Sequence, residues 1–196
     1  LSNAITTFLE VELAVVSPQT IDWYEKRLSL FKNEIGNIHI SELREADLWD
    51  WYRNLQSRVK RGPERTVGKI SVNTQHGYIR AVRRLIKWLY SRRILEIDLT
   101  RDLKLPKLPK GGKKGISDHD VGILLEATAS NSRDYAILRF IESTGCRRGG
   151  VADLRLSDLS LNAEEPFCRR VIVREKGEKE RTVFMSSEAL EAMENW

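Results

Sequence analysis

The sequence changes character once, at a stretch rich in proline, glycine and lysine. Residues 105–115 hold two of the five prolines, three of the twelve glycines and four lysines. Proline and glycine interrupt regular structure, and clustered lysines favour solvent, so this composition predicts an exposed basic linker over residues 104–115. We therefore expect two small domains, at residues 5–103 and 116–196.

The net charge is divided unevenly between the two sides of this linker. Residues 1–115 contain 22 Lys and Arg against 13 Asp and Glu, a net charge of +9, whereas residues 116–196 contain 11 against 15, a net charge of −4; together they give +5. Positive charge concentrated in the first domain indicates an anionic partner for that domain, such as nucleic acid.

Composition also excludes several classes of protein. Hydrophobic residues are 41% and charged residues 31% of the chain, which permits a packed core. Two cysteines, Cys146 and Cys168, cannot build a disulfide framework and fit a reducing compartment. The histidines lack the spacing of a metal site, so we expect no metal. Because no apolar run is long enough to cross a bilayer, we expect a cytoplasmic protein with no membrane partner.

Hydrophobic periodicity predicts a helical first domain. The predicted helices begin at or near a residue that can cap them: Ser17, Ser41 and Ser71. The first ends at Gly36 and the third at about Ser91. The apolar positions of the first helix are Ile21, Tyr24, Leu28, Phe31 and Ile35, and the second helix is expected to bury Leu48, Trp51, Tyr52 and Leu55. Residues 58–69 combine glycine and proline with five cations, which predicts a polar loop.

The third helix has two chemically different faces. Its apolar face consists of Ile79, Val82, Leu85, Ile86 and Leu89. Its opposite face carries four cations, which we call the cationic stripe: Arg80, Arg83, Arg84 and Lys87. No acidic residue lies between positions 80 and 93. Cations at these spacings repel one another unless an anion lies against them, which favours DNA phosphates over a merely solvated face.

Further candidate DNA-binding residues flank this stripe along the chain. Lys69 precedes the helix, while Asn73 and Thr74 lie in its first turn, where their side chains could reach base edges together with Gln75. Lys113 and Lys114 belong to the linker, and we expect them to lie along the DNA backbone. An RNA-binding module is disfavoured, because the sequence lacks the aromatic-rich sheet or glycine loop of such modules.

The second domain combines helices with one β-hairpin. Ser117 and Asp120 form a capping pattern for one helix, and another runs from about Arg133 to Gly145. A short helix carries Val151, Leu154 and Leu156, and a last helix begins at Ser187. Two β-branched, apolar runs, at 171–173 and 182–185, lie on either side of a charged tip and predict the hairpin.

Three motifs follow one another in this domain. Residues 144–148 read Thr-Gly-Cys-Arg-Arg, residues 154–159 read Leu-Arg-Leu-Ser-Asp-Leu, and residues 176–183 read Lys-Gly-Glu-Lys-Glu-Arg-Thr-Val. In order and separation they resemble the first catalytic boxes of the tyrosine recombinases, the phage integrase family. The resemblance implies a mainly α fold: a helical SAM-like core-binding domain, then the N-terminal part of a mixed α/β catalytic domain with a small β-hairpin.

The resemblance implies a function and two catalytic residues. The family breaks and rejoins DNA through a phosphotyrosine intermediate, for example in mobile elements, and needs neither nucleotide nor metal as a cofactor. It makes Arg147 the first catalytic arginine, because a guanidinium can hold two oxygens of a phosphorane transition state. It makes Lys176 the general acid for the departing 5′ oxygen. The implied partners are double-stranded DNA and further copies of the protein on DNA.

The role of three charged residues in these motifs can be interpreted in two ways. Arg148, Lys179 and Arg181 could each contact phosphate, or be solvated or paired with a neighbouring glutamate. Cys146 is expected to be a small core residue at a helix end.

Two departures from the family pattern limit what this chain can do. Gly150 stands where members of the family commonly carry an acid that would help orient Arg147, so the resemblance leaves open what keeps that arginine rigid. All five tyrosines precede residue 147, so we expect the 196-residue chain by itself to be inactive. We expect the natural protein to continue to a His-x-x-Arg box and a tyrosine. Without the helices that carry them, apolar surface of the second domain should be exposed. The alternative is a noncatalytic DNA-binding regulator or a decayed recombinase.

Overall fold

The computed structural model divides into two compact units, Leu1–Gly111 and Gly112–Trp196. It describes residues 1–61, 67–109, 111, 115–159, 168–175, 177 and 179–196. The division between the units falls within the predicted linker. The fold is mainly α with small antiparallel hairpins, as the sequence predicts. Among the described residues, no helix is both long and apolar enough to cross a membrane.

The described residues of the first unit form four α-helices. They are α1 (Ser2–Thr7), α2 (Pro18–Ile35), α3 (Glu45–Ser57) and α4 (Val72–Ser91), with a π-helical turn at Phe8–Glu12 and a 3₁₀ turn at Ile40–Glu42. Ser17 is the N-cap of α2, Pro18 occupies its first turn, and Gly36 ends it with φ of 92°. The helix predicted near Ser41 is instead that 3₁₀ turn followed by α3, because the Asp47 carboxylate accepts a hydrogen bond from the backbone of Arg44 and starts a new helix there.

The core of this unit is formed where α2, α3 and α4 pack against one another. The buried face of α4 is the predicted apolar one, and it also includes Ala81 and Trp88. Phe31 and Trp51 pack edge to face with ring centroids 5.1 Å apart. Tyr52 is only half-buried, so its predicted place in the core is wrong; it packs at the margin, edge to face with Trp49.

The stretch predicted as a polar loop contains a β-hairpin. Strands β1 (Val59–Arg61) and β2 (Val67–Lys69) pair antiparallel, with Val59 opposite Lys69. A further backbone hydrogen bond joins Ile70 to Arg58. The loop prediction was wrong for the residues of these two strands. Hydrophobic periodicity detects apolar side chains, whereas this pairing is made by backbone groups in a mainly polar stretch. Residues 62–66 lie outside the described part of the chain.

The second unit packs helices on one long hairpin. The helices are α5 (Asp118–Thr128), α6 (Ser132–Thr144), α7 (Arg148–Ala152) and α8 (Ser187–Glu194), and the strands are β3 (Cys168–Glu175) and β4 (Lys179–Ser186). A 3₁₀ turn covers Leu156–Asp158. Ser117 caps α5 by accepting from the Asp120 backbone N–H at 3.2 Å, as predicted. Gly145 ends α6 in the left-handed conformation, with φ of 62°.

The hairpin supplies the core of this unit with alternate residues. In its register Val173 lies opposite Arg181 and Val171 opposite Val183. Val171, Val173, Val183 and Met185 are buried together with Phe140 and Cys146. Cys146 is therefore a core residue, as expected. The short helix ends at Ala152, before Leu156, which was predicted to belong to it; Leu156 lies in the following 3₁₀ turn and is 82% exposed.

Candidate functional site

Arg147 lies at the N-cap of α7, immediately after the turn that ends α6. The Thr144 hydroxyl fixes this turn, since it donates to the Phe140 carbonyl at 2.6 Å and accepts from the Cys146 backbone N–H at 3.3 Å. Cys146 then points into the core and Arg147 points outward, with 73% of its side chain exposed. The turn is thus anchored by the buried Cys146 and exposes the Arg147 guanidinium to solvent.

Glu175 at the end of β3 holds this guanidinium from the other side. Its carboxylate accepts a hydrogen bond from Nη1 of Arg147 through Oε2. Its other oxygen, Oε1, lies 3.1 Å from Nη2 of Arg181 on β4. The Glu175 side chain is only 13% exposed. One largely buried carboxylate therefore joins two guanidiniums, and the group of three keeps a net charge of +1.

The strand register explains why these three residues meet. Side chains alternate along a strand, so Glu175 lies on the same face as Val173 and Val171. Arg181 lies opposite Val173 on the paired strand and shares that face. Arg181 also approaches the Cys146 sulfur at 4.0 Å. The sequence left open whether Arg181 contacts phosphate or is solvated or paired with a glutamate; in this structure it is paired with Glu175. The alternation of Val171, Val173 and Glu175 is the sequence signal that could have identified Glu175.

Gly150 has a packing reason in this structure. Helix α7 lies against β3, and a Cβ atom built on Gly150 would lie 2.5 Å from Cγ1 of Val173 and 3.2 Å from the carbonyl oxygen of Arg174. A side chain at position 150 therefore has no room. Arg147 nevertheless has a carboxylate partner, because Glu175 on the neighbouring strand accepts a hydrogen bond from it.

A second carboxylate stabilises the base of the hairpin. Asp158 is buried and accepts two hydrogen bonds from Arg174, each at 2.9 Å, and a third from the Arg155 backbone N–H at 3.0 Å. The Arg174 hydrogen bonds hold the pKa of the Asp158 carboxyl below its usual range, and the same pairing raises the pKa of Arg174. Arg174 points to the opposite face from Glu175, so this pair is separate from the Arg147 cluster.

Several predicted residues lie outside the described part of the chain. They are Lys176, Lys113 and Lys114. The hairpin turn beside Lys176 is described at Gly177, where φ is 81°. Of the other residues with two interpretations, Arg148 and Lys179 are exposed.

The cationic stripe lies on the exposed side of α4. Arg80, Arg84 and Lys87 are exposed and Arg83 is half-buried. The stripe is not wholly without acid, however: Arg84 lies 3.4 Å from the Glu12 carboxylate, and it donates to the Tyr24 hydroxyl at 3.3 Å. These contacts, the Tyr24 hydrogen bond foremost, raise the pKa of Arg84. Glu12 precedes Arg84 by 72 residues in sequence, so inspection of α4 alone could not identify it as the partner of Arg84.

Polar residues around the start of α4 differ in what their side chains do. Lys69 and Asn73 are exposed. The Thr74 hydroxyl lies 2.8 Å from that of Ser71, the N-cap of α4. The Gln75 amide donates to the Ile70 carbonyl at 3.1 Å. Thr74 and Gln75 therefore have local structural partners, whereas Asn73 presents its side chain to solvent.

The ring of Trp23 on α2 contacts two cations, Arg27 on its own helix and Arg80 of the stripe. The Arg27 guanidinium lies 3.9 Å and that of Arg80 4.9 Å from the centre of its ring. Burial lowers the pKa of Arg27, and the nearby charge of Arg80 acts in the same direction. The two guanidiniums repel each other, and the face of the tryptophan ring offsets this repulsion by attracting both.

An apolar groove of about 610 Å³ opens on the second unit. Its walls include Phe140, Val151, Leu156 and Met193, and its rim carries Arg133 and Arg148. Trp196 also lines it and is 64% exposed. Apolar surface is therefore exposed on this unit, as the sequence suggests.

The chain is similar in sequence to a known family and to several of its members. The profile of the phage integrase family matches residues 116–196. The tyrosine recombinase XerD of Yersinia pestis is 32% identical over 164 residues, which are 81% of this chain and 50% of that protein. The tyrosine recombinase XerC 2 of Ralstonia nicotianae is 31% identical over 171 residues, 84% of this chain and 47% of that protein. The chain thus spans about half the length of these relatives.

Solved structures share the fold. The XerH recombinase bound to its difH substrate in a pre-cleavage complex matches with a TM-score of 0.62 and 18% identity, over 91% of this chain and 51% of that one. The Tn1549 transposon integrase in complex with circular intermediate DNA matches with a TM-score of 0.67 and 14% identity, over 98% of this chain and 62% of that one. At these identities the likeness concerns the fold alone.

Proposed function

The chain belongs to the phage integrase family of tyrosine recombinases, and from this premise we propose that the intact protein is a site-specific recombinase or integrase acting on double-stranded DNA. Residues 5–103 are its core-binding domain, residues 104–115 its basic linker, and residues 116–196 the N-terminal part of its catalytic domain. Strand breakage and rejoining pass through a phosphotyrosine, so the energy of the broken bond is kept for rejoining.

The observation that carries this proposal is the exposed guanidinium of Arg147 beside that of Arg181. Attack on a phosphodiester adds negative charge to the nonbridging oxygens of the phosphorus. A guanidinium that is already positioned stabilises this charge without reorganising during the reaction. Arg147 is planar and permanently charged, and it offers N–H donors in a fork that matches two phosphate oxygens.

Lys176 is the second proposed catalytic residue. It follows Glu175 directly in the sequence, and its motif is the reason for the assignment. A lysine ammonium there would donate a proton to the departing 5′ oxygen, which leaves more easily as an alcohol than as an alkoxide. The proton is recovered when the 5′ hydroxyl attacks the phosphotyrosine in the rejoining step.

The first unit is proposed to bind the DNA backbone. Exposed cations along α4 support this role, and phosphate contacts of this kind position a protein without selecting sequence. The proposed contacts are Lys69, Arg80, Arg83, Arg84 and Lys87, with Lys113 and Lys114 of the linker. Asn73 is the better candidate for a base contact, since Thr74 is engaged with the helix cap. Self-association on DNA is part of the same proposal, and the apolar groove of the second unit is consistent with it.

The 196-residue chain by itself is proposed to bind DNA without cleaving it. The five tyrosines are Tyr24, Tyr52, Tyr78, Tyr90 and Tyr135, all before Arg147, whereas the family's nucleophile follows its lysine box. The competing proposal, a noncatalytic DNA-binding regulator, draws support from Gly150. The carboxylate of Glu175 weakens that support, because it holds Arg147 where an acid at position 150 is absent.

The test uses the intact protein and a duplex selected for binding from random-sequence DNA. Arg147→Ala and Lys176→Ala should each abolish the covalent protein–DNA adduct seen on a denaturing gel, while DNA binding persists. Arg170→Ala is the matched control, because Arg170 is an exposed arginine on the outer face of β3. Adduct formation by the Arg147→Ala protein, or its absence from the unsubstituted protein, would refute the recombinase assignment and favour the regulator.

A further inference from the structure

Glu175 is a largely buried carboxylate whose two oxygens face two arginines. We infer that Glu175 is the positioning residue of Arg147: it fixes one edge of the guanidinium so that the remaining donors face an incoming phosphate. The inference rests on the proposed function of Arg147, but the geometry that carries it does not. In this chain the positioning carboxylate comes from the strand rather than from the helix that follows Arg147.

The helix cannot supply this carboxylate. Position 150 lies about one turn after Arg147 in α7, within reach of its guanidinium for a glutamate. The Cβ of any such residue would lie 2.5 Å from Val173 Cγ1 and 3.2 Å from the Arg174 carbonyl oxygen, and the second contact is with backbone. Close packing of α7 on β3 therefore excludes an acid there. Glu175 lies two residues beyond Val173, on the same face of the strand.

The ion pair leaves Arg147 able to bind phosphate. Glu175 bonds to Nη1, and a guanidinium has five N–H donors on three nitrogens. The Arg147 side chain is 73% exposed in spite of this bond, so its other edge is open. Because Arg181 shares the same carboxylate, the cluster remains cationic. A buried glutamate loses less side-chain entropy on DNA binding than a mobile one, so it holds the arginine in one orientation.

The second oxygen of Glu175 couples the two arginines. Within the described part of the chain, Oε1 is buried and lacks an aligned hydrogen-bond donor, although Nη2 of Arg181 lies 3.1 Å away. A buried acceptor without a donor is costly, so a small rotation of Arg181 that aligns an N–H is favoured. Glu175 therefore draws both guanidiniums toward one centre, where they can contact the same phosphate.

The first test measures orientation and does not require cleavage. Nitrogen-15 NMR of the arginine side chains in the 196-residue chain should show slow rotation about the Cζ–Nη bonds of Arg147, and fast rotation in Glu175→Gln. Glu180→Gln is the matched control: it removes the same charge from the same hairpin, but Glu180 pairs with Arg174 on the other face, at 3.7 Å. Equal rotation rates in Glu175→Gln and the unsubstituted chain would overturn the inference.

The second test measures the consequence in the intact protein. Glu175→Gln should slow single-turnover cleavage by about 100-fold, the effect of a misplacement of about 1 Å, while DNA affinity stays the same or rises slightly. Glu175→Asp keeps the charge and should recover part of the rate, which also covers the case in which Glu175→Gln folds poorly.

The outcomes separate this inference from the proposed function. If Arg147→Ala abolishes cleavage but Glu175→Gln cleaves at the unsubstituted rate, the positioning role fails and the recombinase function stands. If the intact protein forms no adduct yet Glu175→Gln releases the Arg147 guanidinium in the NMR measurement, the recombinase function fails and Glu175 still holds the arginine. A loss of folding in both Glu175→Gln and Glu175→Asp, seen as a lost unfolding transition, would show that the Glu175 side chain serves the fold and would overturn the positioning role.

Discussion

A Cβ atom on Gly150 would lie 2.5 Å from Cγ1 of Val173, so helix α7 and strand β3 approach as closely as a glycine permits. This contact sets the distance between the segment that carries Arg147 and the strand that ends in Glu175. The two residues of the ion pair are 28 positions apart in sequence, and it is the packing of Gly150 on Val173 that brings their segments together.

Gly150→Ala should destabilise the second unit by about 1–3 kcal/mol, because an added methyl group overpacks the contact with Val173. Gly149→Ala is the control. Gly149 is in the same helix and exposed, with nothing within 4 Å of its added Cβ, so alanine there should be neutral or stabilising by up to about 1 kcal/mol. Thermal unfolding of both variants checks this, and equal midpoints would contradict it.

The stabilisation by the Asp158–Arg174 pair should depend on pH. The pKa of Asp158 is lowered in the folded chain, so its contribution to stability is complete above the unfolded pKa of about 4 and is lost as pH falls through the lower folded value. Asp158→Asn should therefore lower the unfolding midpoint at neutral pH, and its difference from the unsubstituted chain should close only in strong acid. A difference that stays constant down to about pH 2 would show that the carboxylate charge is not responsible.

The stripe residues should differ in their contribution to DNA binding. Arg83→Ala and Lys87→Ala should each reduce the slope of log affinity against log salt by about 0.9, the value for one lost phosphate contact. Arg84→Ala should reduce it less, because Glu12 already pairs with Arg84. Arg53→Ala, on α3, is the charge control. Fluorescence anisotropy with a labelled duplex measures the slope, and an unchanged slope for Arg83 and Lys87 would show that this face contacts only solvent.

Glu12→Gln should raise DNA affinity. The substitution removes the carboxylate beside Arg84 but leaves the Tyr24 hydroxyl to orient it, so the guanidinium becomes available to phosphate. The gain should disappear in Glu12→Gln combined with Arg84→Ala. A gain of the same size in the double variant would mean that Glu12 acts through the general charge of the domain rather than through Arg84.

Trp23→Leu should destabilise the first unit by about 1–2 kcal/mol, since two guanidiniums lose an aromatic face worth about 0.5–1 kcal/mol each. Trp23→Phe retains a smaller face and should lose less. Urea unfolding followed by circular dichroism measures both. Equal losses in the two variants would show that packing volume, rather than attraction between cation and ring, decides the stability at this position.

Much of the local structure could be predicted because its causes are local. Ser71 and Ser117 begin helices by capping backbone N–H groups three residues on, Pro18 starts α2, and Gly36 and Gly145 end helices through their own backbone conformations. The apolar face of α4 follows from its period. The hairpin of β1 and β2 could not be found in this way, since its pairing is between backbone groups in a stretch of polar residues.

The sequence by itself determined the two-part organisation, the helices with their caps, and the motif that marks Arg147, because each is written in neighbouring residues. Only the tertiary structure decided which carboxylate holds that arginine, and that Arg84 has an acidic neighbour in Glu12. An ion pair depends on where two distant backbones place their side chains. Strand register, the close packing permitted by Gly150 and the alternation of side chains along β3 fix that placement together, and none of them is visible at a single position.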